Sequence, residues 1–487
     1  MSVLNPVNNK IAFLAKIFPI LIIGTILGIV SSMVPLAVSL GAIIGLVFLV
    51  VVLKKAEIGI IIIVALISSI IFEESLPLIP IGVGSLHITD IIIIALIFNI
   101  LWKHFMGTTA IIRTPLDIPI IIFYSICIIS AFISIKFFGT EYSTVIRTLR
   151  LVTYYLIFFI ITNYISTFNK LKFLIKGLVV IATIVSIAML IQSIIGDTIL
   201  LMPGRIEKSG TFEEFDTLRI LPPGQLLLYV MFITGICTNI IGNKNRIYKN
   251  MSLLSVCLLG IGIILTYNRT YWLSIIMVTI LLYFLIKPRE KKYFLFLTSI
   301  VLVLILFIST LTIGSHDKIS ETIHSVTERF SSVFAGKKLI SSSSLDYRYI
   351  ENEFALKKIR SHLLLGNGLG NSYRPNIFGS KDELTSYIHN GYYWILLNTG
   401  VIGFVFYFWF YVGFIARSYK YYKKLSDSKL RPVMAGFLLS GIGILPMALL
   451  NPIFMQWYSV VVLAIIIGMN EVIIKLHLNT MNVDECL

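Results

Sequence analysis

Five arginines stand in short polar segments between long apolar runs: Arg147, Arg150, Arg205, Arg219 and Arg269, with Lys136 and Lys208. A guanidinium group is a permanently charged planar fork that binds phosphate oxygens two at a time. Several such groups at one membrane edge suit a lipid-linked diphosphate. They equally suit headgroup anchoring, or ion pairing with Glu207, Glu213, Glu214 or Asp216. Arg269 carries the sharper signal, because it interrupts two apolar runs in Leu265-Thr-Tyr-Asn-Arg-Thr-Tyr-Trp272. A charge there is expensive and faces a polar cavity or a partner.

The second signal is Ser386-Tyr-Ile-His-Asn-Gly-Tyr-Tyr-Trp-Ile-Leu-Leu-Asn-Thr-Gly400. It predicts an amphipathic helix lying against the membrane. His389 would sit near its N-terminus, where the helix dipole favours neutral imidazole. A neutral histidine can take a proton from a sugar hydroxyl; a structural or solvated ring is the alternative. His316, His324 and His362 lie in the same segment and read as that alternative. Upstream, Leu363-Leu-Leu-Gly-Asn-Gly-Leu-Gly370 looks like a phosphate-binding loop only superficially, since no strand precedes it. It predicts a tight turn after a helix over residues 347–361, in which Arg348 is the functional candidate. Glu213-Glu-Phe-Asp216 is the tightest acidic group, but three carboxylates do not define a metal site. Charge neutralisation is assigned to arginine, with no metal and no cofactor.

The elements that must position these residues are membrane helices. The chain of 487 residues is 57% hydrophobic and 13% charged, far from the balance of a soluble domain. The apolar residues fall in continuous runs without the alternation of barrel strands, so the fold class is all-α and polytopic. Spans are expected at 11–30, 35–53, 57–72, 88–102, 118–135, 149–165, 174–195, 225–242, 251–267, 271–286, 294–312, 401–416, 433–450 and 456–474, about fourteen in all. The organisation follows: eleven spans over 1–312, a large extracytoplasmic loop with amphipathic helices over 313–400, and three spans with a cytoplasmic tail over 401–487.

The net charge of +16 does not mark a nucleic-acid binder, because the basic residues lie in short loops. With both termini in the cytoplasm, inner segments hold 23 of the 40 Lys and Arg and short outer loops hold seven, as the positive-inside rule requires. The remaining ten lie in the long outer segment, nearly balanced there by eight Asp and Glu. Of Cys127, Cys237, Cys257 and Cys486, the first three lie in apolar runs and predict no disulfide framework. No cleavable leader is expected, and no internal repeat supports an inverted-repeat transporter.

Taken in order, these residues resemble the O-antigen ligase and polymerase superfamily of bacterial envelope glycosyltransferases. The resemblance rests on Arg219, Thr266-Tyr-Asn-Arg269, Arg348, Leu364-Leu-Gly-Asn-Gly-Leu-Gly370, His389-Asn-Gly-Tyr392 and Thr399-Gly-Val-Ile-Gly403, over roughly 140–416. It implies a GT-C-like, metal-independent, inverting glycosyltransferase of the bacterial cytoplasmic membrane. Its donor would be a glycan on undecaprenyl diphosphate, and its acceptor a second glycan. By the resemblance, His389 assists the acceptor hydroxyl, Arg269 and Arg219 bind the diphosphate, and Arg147, Arg150 and Arg348 are looser matches. The chain departs from the commonest pattern at Asn268, where a serine is usual, and in its span count. A polymerase of lipid-linked repeats is favoured over a ligase, and a chain-length regulator is a partner such an enzyme admits. A flippase would place charges inside the spans, which are nearly free of Lys and Asp. A peptidoglycan polymerase would need an essential outer aspartate, for which Asp317, Asp346 and Asp382 are the candidates.

Overall fold

The structure is a computed structural model that describes residues 36–68, 70–71, 76, 79–81, 84–197, 199–202, 204–207, 218–242, 253–296, 298–299, 343–376, 385–425 and 429–484. Fourteen α-helices are assigned within these residues: α1 Leu36–Lys54, α2 Ala56–Ile67, α3 Ile88–Phe105, α4 Asp117–Phe138, α5 Tyr142–Thr153, α6 Ile157–Tyr164, α7 Phe168–Ile195, α8 Gln225–Ile241, α9 Leu253–Leu265, α10 Arg269–Leu285, α11 Ser343–Ser361, α12 Gly391–Lys424, α13 Arg431–Met447 and α14 Trp457–Asp484. Two small antiparallel hairpins accompany them: β1 Ile79–Ile81 with β2 Gly84–Leu86, and β3 Arg205–Glu207 with β4 Arg219–Leu221. A single 3-10 turn, Tyr154–Leu156, joins α5 to α6.

Among the described residues, six helices are long and apolar enough to cross a membrane: α3, α4, the continuous α5–α6 rod, α7, α12 and α14. Six shorter apolar helices lie on other expected runs, in α1, α2, α8, α9, α10 and α13. An all-α membrane protein fits. The expected span at 11–30, most of that at 294–312 and the loop residues 313–342 lie outside the described residues. The surface supports a lipid environment. Exposed large side chains such as Ile94, Phe98, Leu101, Ile121, Phe132 and Phe284 form apolar faces that a soluble protein would cover.

Between helices, small residues allow close approach, the usual solution where lipid offers no hydrophobic drive to associate. Gly436 of α13 lies against Thr234 of α8, and Gly262 of α9 against Ser186 of α7. Ser274 of α10 donates to the Gly443 carbonyl at 2.7 Å and pairs with the Tyr229 hydroxyl at 2.7 Å. Helix α14 lies deep in the bundle, with every residue from 459 to 474 buried. Beside it, Phe123, Tyr155, Tyr407, Tyr411 and Phe454 form one aromatic cluster.

The two ends of the bundle differ chemically. One end holds Lys54, Lys55, Lys103, Lys170 and the Arg417–Lys424 group. Its charges are tied down by Arg417 on Glu471 at 2.8 and 2.7 Å and by Arg431 on Glu290 at 2.7 Å. The other end gathers the chain reversals around Arg219, Arg269 and His389.

Candidate active site

At that second end, the segment expected to lie flat on the membrane is instead built into the protein. Helix α12 begins at Gly391, with Asn390 accepting from the amides of Tyr392 and Tyr393 at 3.0 and 3.1 Å. Trp394, Ile395, Leu397, Asn398 and Thr399 are all buried. The apolar face that suggests lipid contact instead meets the protein, with Tyr392 stacked on Phe408 and donating to the Leu445 carbonyl at 2.8 Å.

Gly400, at φ +64°, breaks α12 into two halves. The glycine-rich segment fills the break. The amide of Asn367 donates to the Leu397 carbonyl at 2.6 Å, and Gly370 to the Asn398 side chain at 3.0 Å. The amides of Val401 and Ile402 donate in turn to the carbonyls of Leu363 and Leu364 at 2.9 and 3.3 Å. The segment therefore satisfies the backbone groups that a broken membrane helix exposes. Gly366 must be glycine: its φ is +78°, and a Cβ would meet the backbone of Leu397, Asn398 and Gly400 at 2.7 Å.

This construction holds His389 one residue before the helix cap. Its Nδ1 lies 2.8 Å from a Glu351 carboxylate oxygen, and the same oxygen accepts the His389 amide at 3.3 Å. A carboxylate can only accept, so it fixes the proton on Nδ1 and leaves Nε2 as the basic nitrogen. The His389 side chain is 29% exposed, whereas that of Glu351 is 1% exposed, so the ring is the part a substrate can reach. Tyr347 and Tyr387 set their rings edge-on to the imidazole at 5.8 and 5.0 Å between centroids.

Glu351 is the functional candidate that sequence reading missed. It lies on α11 with Tyr347, Ala355 and Ile359 at four-residue spacing, and Ala355 and Ile359 are buried. An acid in the apolar line of a helix was the available signal. Its second carboxylate oxygen faces Arg374 at 3.9 Å, also with a 1% exposed side chain. Arg374 donates to the Tyr347 hydroxyl at 2.8 Å. Arg348, on the same helix, is partly buried, and burial lowers its pKa, opposed by the charge of Glu351 and by Tyr387. The structure thus brings His389 and Arg348 together around Glu351. Burial, followed by the nearby Glu351 charge, raises the pKa of Tyr373; its hydroxyl donates to the Tyr387 carbonyl at 3.0 Å.

A second cluster surrounds the turn between α9 and α10. The chain breaks at Thr266–Asn268, with Tyr267 at φ +47°, a conformation rare for a bulky residue. Asn268 caps α10 by accepting from Thr270 at 3.3 Å, so Arg269 is the first helical residue. Its Nε is buried with no hydrogen-bond acceptor among the described residues. Arg219, at the start of β4, donates through Nε to the Thr266 carbonyl at 3.2 Å. Arg219 and the turn carrying Arg269 therefore meet.

Residues 448–458 join the two clusters. Gly391 donates to the Ala448 carbonyl at 2.8 Å, and the Asn451 side chain to Thr270 at 3.0 Å. Arg147 and Arg150 are placed elsewhere. They lie on helix α5 and not in a loop, because the span expected at 149–165 begins earlier, at Tyr142. Arg150 faces Asp90 at 3.7 Å.

A family model described as O-Antigen ligase matches residues 254–408. The match supports the O-antigen ligase/polymerase superfamily. It indicates an O-antigen ligase/polymerase-type membrane enzyme. The matched stretch contains Arg269, Arg348, Glu351, the glycine-rich segment and His389, while Arg147, Arg150 and Arg219 precede it. No curated protein matches the chain.

Proposed function

We propose that the protein is a glycosyltransferase that polymerises undecaprenyl-diphosphate-linked repeat units at the outer face of the cytoplasmic membrane. The observation that carries this reading is the His389–Glu351 pair, which leaves Nε2 basic and accessible at the end of the bundle where Arg269 and Arg219 gather. The charge distribution supports an outward orientation for that end.

In the proposed reaction the acceptor hydroxyl attacks the anomeric carbon of the donor sugar while His389 Nε2 takes its proton. The bond to the diphosphate oxygen breaks, and its electron pair leaves on the lipid diphosphate. Direct displacement inverts the anomeric centre. Arg269 and Arg219 stabilise the developing negative charge, most effectively where water is scarce. Glu351 holds the imidazole tautomer and stabilises the imidazolium that forms, as the buried acid does in a hydrolytic triad. Arg348 binds substrate beside the ring. With guanidinium groups supplying the positive charge, the reaction needs no metal, and full activity in EDTA is expected; a loss restored by a divalent cation would contradict that part.

The test is polymer output in cells lacking the native gene, complemented with wild type, His389→Ala or Arg269→Ala at matched membrane levels. Absence of long-chain glycan with both variants supports the reading. Full complementation by both removes its centre. Transfer of a finished chain to a different acceptor, without elongation, would assign the same chemistry to a ligase.

A further inference from the structure

We infer that the cleft between α3 and α5 is a second binding site for a polyprenyl diphosphate headgroup, separate from the Arg219–Arg269 cluster. Its volume is about 480 Å³, within the range of small-ligand sites. The cleft contains Arg147 and Arg150 from α5, together with Asp90, Ile93 and Ile94 from α3 and Ile146 from α5.

The charges are arranged for an anion. Asp90 is already engaged: it accepts the His87 amide at 2.9 Å and the Tyr154 hydroxyl at 2.9 Å. Its contact with Arg150 is the long one, at 3.7 Å, and the buried Arg150 Nε has no acceptor among the described residues. Arg150 therefore keeps donors to offer, and Arg147 beside it is exposed. Two guanidinium groups against one satisfied carboxylate leave the cleft positive, with the fork geometry that phosphate oxygens fit.

The apolar part selects a lipid tail. Ile94 lies in the cleft and begins an exposed ladder on α3 that continues through Phe98 and Leu101, at i, i+4 and i+7 on one helix face. The ladder runs from the arginines along the membrane-crossing helix, so a headgroup at Arg147 and Arg150 places its chain on a lipid-facing wall. On another face of α5, Thr144 and Thr148 lie against Gly370 of the glycine-rich segment. One helix thus separates this cleft from the segment that braces His389. Joining two lipid-linked repeats requires two lipid diphosphates at once; resting on that reading, the cleft supplies a place for the second.

The experiment is photolabelling of the full chain in phosphatidylcholine nanodiscs with a photoactivatable polyprenyl diphosphate, and mapping of the labelled peptides. Label is expected on α3 or α5 as well as near the 266–269 turn. The Arg147→Gln/Arg150→Gln variant should lose the α3–α5 label by about 10–100-fold, the loss expected for charge-assisted hydrogen bonds, and keep the other. Ile94→Trp, which fills the cleft without touching a charge, should do the same. Unlabelled polyprenyl diphosphate should displace the label. Equal displacement by phosphatidylglycerol, or by inorganic diphosphate alone, would overturn the proposal, as would an unlabelled cleft in an enzyme that elongates glycan. A labelled cleft in a protein that transfers no sugar would instead count against the glycosyltransferase reading.

Discussion

Replacing Glu351 with Gln tests the site most selectively, because it changes one atom and removes one charge. Glu351 accepts from His389 Nδ1 at 2.8 Å and from the His389 amide at 3.3 Å. A glutamine can turn its NH₂ toward Nδ1, which moves the ring proton to Nε2 and removes the base. General-base catalysis contributes about 10²–10⁴-fold, so kcat should fall by that factor, about 2.7–5.5 kcal/mol of barrier. The donor KM should change little, because Glu351 does not bind the diphosphate. Removing the charge also takes away an attraction to Arg374, 3.9 Å away and equally buried, which lowers stability. Thermal unfolding and membrane level must therefore be read beside activity, with Glu351→Asp as the conservative control. The diagnostic is non-additivity: His389→Ala in the Glu351→Gln background should cost almost nothing further. A Glu351→Gln enzyme within about threefold of wild type, where general-base catalysis predicts a far larger loss, would refute the tautomer argument.

Three further substitutions probe other parts of the account. Arg269→Lys keeps the charge but loses the planar fork, and should lower kcat by about 10–100-fold in a glycan-transfer assay, with Arg269→Ala losing about 10²–10³-fold or more. Gly366→Ala places a Cβ 2.7 Å from the backbone of α12 at φ +78°; a loss of about 1–3 kcal/mol or more from backbone strain should appear as a lower Tm in detergent, together with lost activity. At the opposite end, Arg417→Met leaves Glu471, 2% exposed, as an unpaired buried charge. It should destabilise by about 3–5 kcal/mol, and a second change, Glu471→Gln, should recover most of the Tm.

The features legible in the sequence were those with a strong local signal. Continuous apolar runs announced α3, α4, α7 and α14, and Arg269 marked the break between α9 and α10 because a charge interrupts an apolar run there. Arg219 and Arg269 were selected for their charge near apolar segments, and the fold brings them to one turn. What stayed hidden depends on contacts between distant segments. Glu351 meets His389 across 38 residues, and nothing in a single helix pattern announces that partner. The glycine segment and the Gly400 kink are each ordinary turn signals; that one plugs the other is visible only when α12 is seen broken. Residues 391–400 read as surface-lying because amphipathicity does not say whether lipid or protein meets the apolar face. Arg147 looked like a loop charge because the expected span starts at 149, whereas the helix begins at Tyr142 and carries both Arg147 and Arg150.

The most direct measurement is product analysis by mass spectrometry after purified chain in nanodiscs meets a lipid-linked repeat unit. Wild type should yield a ladder of lipid-linked oligomers with release of undecaprenyl diphosphate, and folded His389→Ala should yield almost none. A wild type that releases no diphosphate and lengthens no chain, or a His389→Ala enzyme that elongates at the wild-type rate, would contradict the account.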